Sequence, residues 1–223
     1  MRLLMAICAA TLLLGGVGTA QETTMTEAEE TYDLLFRTGT LDDLPRGETL
    51  VYDRVVESAL APDAAERNTG RIELTFEAGE PEAAQLRFLQ GDRFKGIGDF
   101  PASVGNPIIM YFVETVVRDM AEAAGGSSFY IRNRVKAALV EPAEIEMREV
   151  SVGDETVAAR TVTLLPFEGD PNAEKMQGFD RMELTVTMSE DVPGWYASLD
   201  ATVPAADGDA PVYSSTITLE PDE

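Results

Sequence analysis

The chain has 223 residues, a formal net charge of −23, no histidine and a single cysteine, Cys8. This length is enough for one domain of ordinary size or two small ones. The absence of histidine excludes Ser-His-Asp and Cys-His catalysis, as well as zinc or copper sites built on imidazole. The acidic balance opposes binding to nucleic acid and to anionic membrane surfaces, and it would attract cations or a basic protein partner.

The N-terminal residues have the pattern of a secretory signal peptide. Arg2 precedes an apolar run over residues 3–17, and residues 18–20 (GTA) form a small-residue cleavage site. An apolar run this short predicts a cleaved signal rather than a membrane span, and the alternative is an uncleaved anchor. We therefore expect export to the periplasm, cleavage after Ala20, and a mature protein without cysteine and without stable membrane insertion.

A short helix is predicted near the start of the mature chain. Thr26 followed by Glu29 fits a capping box, in which each side chain accepts a hydrogen bond from the other residue's backbone N–H. A helix over residues 27–37 follows from this signal. Its expected buried side consists of Tyr32, Leu35 and Phe36.

Four strands are predicted between that helix and the middle of the chain. Alternating apolar and polar residues place them at 49–57, 71–77, 84–89 and 94–100. Turns are marked by Gly79-Glu80-Pro81 and by the hairpin signal Gly91-Asp92. Residues 59–70 are predicted to form a loop. In the strand at 94–100, Gly96 and Gly98 are predicted to weaken the strand or to mark a bulge.

The segment from Asn106 to Leu139 has the longest helical period of the chain, with strand patterns on both sides. Pro107 suits the first position of a helix, which Gly125-Gly126 would end. Ser127 or Ser128 would cap a second helix. The apolar face of the first helix consists of Ile109, Phe112, Val113, Val116, Val117 and Met120. A two-helix insert between two runs of strands predicts a lid or plug on a sheet.

Five further strands are predicted after the insert, at 144–150, 156–165, 181–188, 195–203 and 211–219. They are separated by turns at 153–154, 191–194 and 207–209 and by a long loop at 166–178. The sum predicts an α+β fold, mainly antiparallel β, with a curved sheet or half-barrel of about 8–9 strands. The two-helix insert and the short N-terminal helix would cover its concave side. Residues 21–223 are predicted to form a single domain, because nothing marks a boundary.

The order of these elements resembles that of LolA-like periplasmic lipoprotein carriers. A signal peptide, a short helix, strands, central helices and further strands follow one another, and Gly105-Asn106-Pro107 opens the insert. The resemblance covers the chain from about Glu27 to Leu219. It implies a half-barrel with a helical lid and a carrier function.

Residues of the insert, together with one tryptophan, are the candidate ligand-binding site. Residues 108–113 are consecutively apolar, which is more than one helix face needs. They fit either a helix buried on both sides or a lid that lines a lipid-sized cavity. The candidate ligand-binding residues are Ile109, Phe112, Val113, Val116, Met120, Phe129 and Trp195.

Positive charges are few, and three of them lie together on the second helix of the insert. Arg132, Arg134 and Lys136 would form a docking site for an anionic headgroup or a carboxylate. Alternatively, they pair with the acidic surface around them or favour the C-terminal half of their helix.

Acidic residues are plentiful, but no pair stands out as catalytic. Acidic pairs at 42–43, 190–191 and 207–209 fall in predicted turns, where aspartate usually caps its own backbone. The loop at 168–174 alternates oxygen ligands that calcium would accept, without the ligand order that would make the site specific. We predict a solvated loop there, and no catalytic residue, metal site or cofactor.

Together these features predict an exported, non-enzymatic binding or carrier module. Its apolar, lipid-like ligand would lie between the helical insert and the sheet. The alternative is an envelope protein–protein interaction module with a filled core, which presents an acidic face to a basic partner. A carboxylate-based hydrolase is the third alternative.

Overall fold

The computed structural model describes residues 26–77, 82–206 and 210–221. The helices are α1 (Glu27–Leu35), α2 (Pro62–Asn68), α3 (Ile108–Ala123) and α4 (Ser128–Ala138). The strands are β1 (Leu50–Ser58), β2 (Gly70–Glu77), β3 (Ala83–Gln90), β4 (Arg93–Pro101), β5 (Glu144–Val152), β6 (Glu155–Leu164), β7 (Glu183–Met188), β8 (Tyr196–Val203) and β9 (Tyr213–Leu219). The predicted signal peptide and the predicted turns at 79–81 and 207–209 lie outside the described residues. No described helix is long and apolar enough to cross a membrane.

The strands form one open nine-stranded sheet in the order β4-β3-β2-β1-β9-β8-β7-β6-β5. All neighbouring strands are antiparallel, and the first and last strands, β1 and β9, pair in the middle of the sheet. The predicted class, an α+β fold with a curved and mainly antiparallel sheet, is confirmed. In β4 the predicted bulge is also present, because Leu86 pairs with Gly98 and Arg87 with Gly96, which leaves Ile97 as the extra residue.

The connection between β4 and β5 explains why the helices cover the sheet. These two strands lie at opposite edges, so the chain between them has to cross from one edge to the other. This connection contains α3 and α4. Toward the core, α3 presents Phe112, Val116 and Met120, which are 1%, 0% and 2% exposed. Full burial of such a side chain contributes about 1.5–3 kcal/mol, so the hydrophobic effect holds the crossing in place.

The N-terminal helix α1 has the predicted capping box but a different buried side. The Thr26 hydroxyl accepts a hydrogen bond from the Glu29 backbone N–H at 3.2 Å, and the Glu29 carboxylate accepts one from the Thr26 backbone N–H at 2.8 Å. Leu34 and Leu35 are buried, whereas Tyr32 is 46% exposed. The predicted burial of Tyr32 is therefore wrong. The helix ends at Leu35 and turns this leucine pair toward the core, which leaves Tyr32 on the outer side.

Residues 62–68, which the sequence pattern assigns to a loop, form the helix α2. Pro62 occupies the first turn, where proline is favourable because its missing N–H is not needed. Ala64 and Ala65 are buried, and the helix contacts β1. A helix of this length is too short to show a clear 3.6-residue hydrophobic repeat in its sequence. Its conformation is therefore decided by packing against the strand.

A buried ion pair joins α3 to the sheet. Arg54 of β1 and Asp119 of α3 are 1% and 6% exposed, and Arg54 Nη2 lies 2.7 Å from Asp119 Oδ2. The same carboxylate accepts hydrogen bonds from the Tyr213 hydroxyl at 2.8 Å and from the Asn68 side-chain amide at 3.0 Å. Burial raises the pKa of Asp119, and the charge of Arg54 opposes that shift. The ion pair therefore fixes α3 over β1 and β9.

Candidate functional site

An open groove of about 1220 Å³ lies beside the helical insert. Its walls are α1 with the segment that follows it, the end of β4 with the next turn, the first half of α3, and the end of α4. From the sheet, Arg160 of β6 and Tyr196 of β8 contribute to the lining. The volume exceeds the ~300–1,000 Å³ of a typical small-molecule pocket. The groove, termed the α1–α3 groove below, therefore suits an extended ligand.

Large apolar side chains of this groove are open to solvent. Tyr32, Val104, Met110 and Val140 all line the groove and are 46%, 63%, 44% and 54% exposed. Contiguous exposed apolar surface with a polar rim is typical of a ligand-binding or partner-binding site. The groove is therefore the candidate functional site.

Asn106 forms the corner of the groove at which α3 begins. Its Nδ2 donates hydrogen bonds to the Tyr52 hydroxyl and to the Gly194 carbonyl, both at 2.8 Å. Its Oδ1 accepts a hydrogen bond from the backbone N–H of Ile108 at 3.0 Å, which satisfies one of the free donors at the start of the helix. The helix begins at Ile108, one residue later than predicted, with Pro107 in the cap position. The amide of Asn106 thus ties α3, β1 and the turn before β8 together.

Gly105 brings the end of β4 against the segment that follows α1. Its φ angle is +112°, and a Cβ at this position would lie 2.5 Å from the carbonyl oxygen of Arg37. Positive φ is a conformation that glycine adopts readily and other residues rarely do. The close approach of two backbone segments also leaves no room for a side chain, so glycine is required here for two independent reasons.

We expect Gly105→Ala to lower the free energy of unfolding by about 2–4 kcal/mol, because it adds both backbone strain and a steric clash. Gly126→Ala is the matched control, since Gly126 has a φ of +95° but open space around its Cα. The control should lose only about 1 kcal/mol, from the backbone conformation alone. Denaturant-induced unfolding measures both losses. Equal losses would contradict the role assigned to the Arg37 contact.

Two arginines of the groove lie against the indole ring of Trp195, which does not itself line the groove. Arg37 Cζ lies 4.4 Å and Arg160 Cζ 5.6 Å from the ring centroid. Both guanidinium groups reach the same oxygen, Oε1 of Glu190, at 2.9 Å and 3.4 Å. The hydrogen bond from Arg37 and the positive charges of both arginines lower the pKa of Glu190. Both arginines and this glutamate line the groove.

The backbone of Trp195 is strained. Its φ angle is +80°, a conformation that is unusual for a bulky residue, and the residue is 4% exposed. The indole N–H donates a hydrogen bond to the Leu34 carbonyl at 3.0 Å. The sequence pattern places Trp195 on the inward face of a strand, but it belongs to the turn, and β8 begins at Tyr196. Strain of about 1–3 kcal/mol that is held by surrounding contacts is a frequent feature of functional sites.

The predicted ligand-binding residues on α3 divide into two groups. Ile109 and Val113 border the α1–α3 groove, although they are 2% and 3% exposed and also belong to the hydrophobic core. Phe112, Val116 and Met120 belong to the hydrophobic core. The space between these core residues and the sheet is filled by side chains, and the open space lies beside α3.

The predicted residues on α4 also have different positions. Lys136 lines the groove. Arg132 donates two hydrogen bonds, each 2.8 Å long, to the carboxylate of Glu114, which lowers the pKa of Glu114. Phe129 is 72% exposed and does not belong to the groove lining. Of these side chains, only that of Lys136 can contact a ligand in the groove.

Arg134 holds the oxygen-rich loop against α4. Its Nε lies 2.9 Å from Asp170 Oδ2 and forms an ion pair with that carboxylate. Asp170 accepts hydrogen bonds from the Tyr130 hydroxyl at 2.7 Å and from the Asn172 backbone N–H at 2.8 Å. Burial raises the pKa of Asp170, but these hydrogen bonds outweigh burial and lower it. Asp170 is thus an internal anchor of the loop. No cluster of three or more acidic side chains suited to a metal ion occurs in the described parts of the chain.

The residues that form the open part of the groove escape sequence reasoning. The helical pattern assigns Tyr32 to the core, and it treats Met110 as one member of an apolar run. The length of that run is a usable signal, because one helix face cannot bury all of residues 108–113. Arg37 and Arg160 lie far apart in the sequence, and no local pattern pairs them.

No protein-family model matches this chain, and no curated protein matches it either. The candidate site therefore rests on its own geometry.

Proposed function

We propose that the chain is an exported, non-enzymatic binding or carrier module that holds an apolar, lipid-like ligand in the α1–α3 groove. The observation that carries the proposal is the joint exposure of Tyr32, Val104, Met110 and Val140 around one groove. An apolar ligand would remove this surface from water, at a gain of about 25 cal/mol per Å². The signal-peptide pattern supports export to the periplasm, and the LolA-like order of elements supports a carrier role.

The proposed ligand lies beside α3 rather than beneath it. The core under α3 is filled by side chains such as Phe112 and Val116. A ligand in the groove would contact the insert through Met110, which is 44% exposed, and the sheet through Arg160. It would therefore bind without displacing the helix from the sheet.

Met110→Glu tests the groove, with Met147→Glu as the matched control. Met110 is 44% exposed in the groove and Met147 is 71% exposed on β5, so the two variants add the same charge at an exposed methionine. We expect Met110→Glu to weaken the binding of a fluorescent fatty acid about tenfold, because its carboxylate would lose water on ligand binding. The control should stay within about twofold of the wild type. Fluorescence titration gives the affinities. Equal affinities of the two variants would refute the proposal, as would the failure of the wild type to bind any single-chain apolar ligand, whatever its head group.

An interaction module for a basic protein partner is the second candidate function. The filled core under α3 favours it, as do the exposed carboxylates of Glu144 and Glu149 on the edge strand β5. A sheet edge can take up an additional strand from a partner. Under this function the wild type would not bind the fatty acid. It would bind a lysine-rich peptide, with an affinity that falls as the salt concentration rises.

A further inference from the structure

We infer that the α1–α3 groove is specific for a single-chain ligand with a carboxylate head, and that Arg37 and Arg160 bind this carboxylate. The inference rests on the proposed function and names the chemical class of its ligand. It follows from the distribution of charge in the groove, from the geometry around Glu190, and from the support that Trp195 provides.

The charge of the groove differs from that of the whole chain. The chain has 17 basic and 40 acidic residues. The basic residues of the groove are Arg37, Lys136 and Arg160, and its acidic residues are Glu30, Asp33, Glu114 and Glu190. Glu114 is already neutralised by Arg132 at 2.8 Å. With Glu114 set aside, three basic and three acidic residues remain, so the groove is close to neutral within a strongly acidic chain.

Glu190 indicates which kind of group the two arginines bind. Arg37 and Arg160 both reach Oε1 of this carboxylate, at 2.9 Å and 3.4 Å, and the Glu190 side chain is 66% exposed. A guanidinium group binds a carboxylate best when its donors meet both oxygens, so two guanidinium groups on one oxygen use only part of their capacity. A ligand carboxylate between the two arginines would offer one oxygen to each. Exposed ion pairs stabilise a protein little, so a ligand can displace Glu190 at small cost.

Trp195 keeps the two arginines in position. Its ring lies against both guanidinium groups, at 4.4 Å and 5.6 Å from its centroid, which is the geometry of a cation–π contact. The turn that carries Trp195 is fixed by a 2.7 Å hydrogen bond from the Ser189 hydroxyl to the Ala158 carbonyl. The positive φ of Trp195 is maintained within this turn. A preorganised pair of donors loses little entropy when it binds an anion.

The binding of two ligands with the same chain and opposite heads tests the inference. Dodecanoate and dodecyltrimethylammonium are titrated calorimetrically below the concentrations at which they form micelles. The net charge of −23 by itself favours the cationic ligand, so tighter binding of dodecanoate requires a local site. We expect dodecanoate to bind about tenfold more tightly. It should also change the fluorescence emission of Trp195, the only tryptophan of the chain.

Three variants assign the site. Arg160→Gln should weaken dodecanoate binding about tenfold and leave the cationic ligand within about twofold, because one charged donor is lost. Glu190→Gln should strengthen dodecanoate binding, because the competing carboxylate is removed while the shape is kept. Arg148→Gln is the matched control, since it removes an exposed arginine that is paired with Glu146 on β5, and it should change neither affinity. If Arg160→Gln fails to fold, Glu190→Gln decides alone.

Several results would overturn the inference. The first is tighter binding of the cationic ligand than of dodecanoate, and the second is weaker dodecanoate binding by Glu190→Gln. The third is a weakening of dodecanoate binding by Lys136→Gln but not by Arg160→Gln, which would place the carboxylate head at the end of α4. If only the cationic ligand binds in the groove, the inferred specificity for a carboxylate head is refuted, whereas the proposed function is retained. If neither ligand binds, the proposed function and the inference fail together.

Discussion

Asp119→Leu is expected to lower the free energy of unfolding by about 3–5 kcal/mol. The substitution would leave the guanidinium group of Arg54, which is 1% exposed, without the carboxylate that lies 2.7 Å away. The Tyr213 hydroxyl and the Asn68 amide would lose their acceptor as well. Urea-induced unfolding checks this result, with a shift of the midpoint at an unchanged slope.

The double variant Arg54→Met/Asp119→Leu separates the loss of the ion pair from the burial of an unpaired charge. We expect it to lose about 1–3 kcal/mol, because the buried Tyr213 hydroxyl remains without its acceptor while no charge is stranded. Arg148→Met, at an exposed ion pair, should stay within about 1 kcal/mol of the wild type. If the double variant lost the sum of what Arg54→Met and Asp119→Leu lose separately, the buried pair would not be a coupled unit.

Phe112→Ala is expected to lower the free energy of unfolding by about 3–5 kcal/mol, because burial and packing are lost together. Phe112 is 1% exposed and belongs to the hydrophobic core. A residue that lined an empty cavity would lose only about 1–2 kcal/mol, from the transfer of the side chain alone. Phe129→Ala is the control on the neighbouring helix, where the side chain is 72% exposed, and it should change stability by less than about 0.5 kcal/mol.

Ligand binding by Phe112→Ala separates the groove from a cavity under the helix. The folded variant should bind the fluorescent fatty acid within about twofold of the wild-type affinity, because Phe112 does not belong to the groove lining. A small loss of stability together with a loss of binding would place the ligand between α3 and the sheet. A large loss of stability, with no binding by either protein, would favour the interaction module.

The spacing of hydrophobic residues predicted most of the helices and strands, because burial imposes a two-residue repeat on a strand and a 3.6-residue repeat on a helix. The strand from Glu183 to Met188 alternates in its sequence, its burial follows that alternation as far as Val186, and it pairs on both sides as an inner strand should. The capping box of α1 was readable for a similar reason, since its hydrogen bonds span only three residues. α2 was not predicted, because contact with β1 rather than a local signal stabilises it.

The candidate site was predictable only in part. Ile109, Val113 and Lys136 are residues that sequence reasoning selected and that line the groove. The predicted apolar face of α3 is confirmed, because all six of its residues are buried. The apolar run around Met110 did not indicate which of its remaining residues would stay open to solvent. The arginine pair at Trp195 was not predicted, since Arg37 and Arg160 approach one another only through the packing of α1 against the sheet.

The sequence by itself determined the acidic character of the chain, the absence of histidine chemistry, the antiparallel class and the two-helix insert, since each depends on composition or on a local repeat. Only the tertiary structure decided where apolar surface stays open and which charges meet. Arg54 and Asp119 become an ion pair because the crossing from β4 to β5 lays α3 over β1. Met110 becomes a groove residue because the core side of α3 is already occupied by Phe112 and Val116. Both outcomes depend on contacts between distant segments, which no local pattern of residues records.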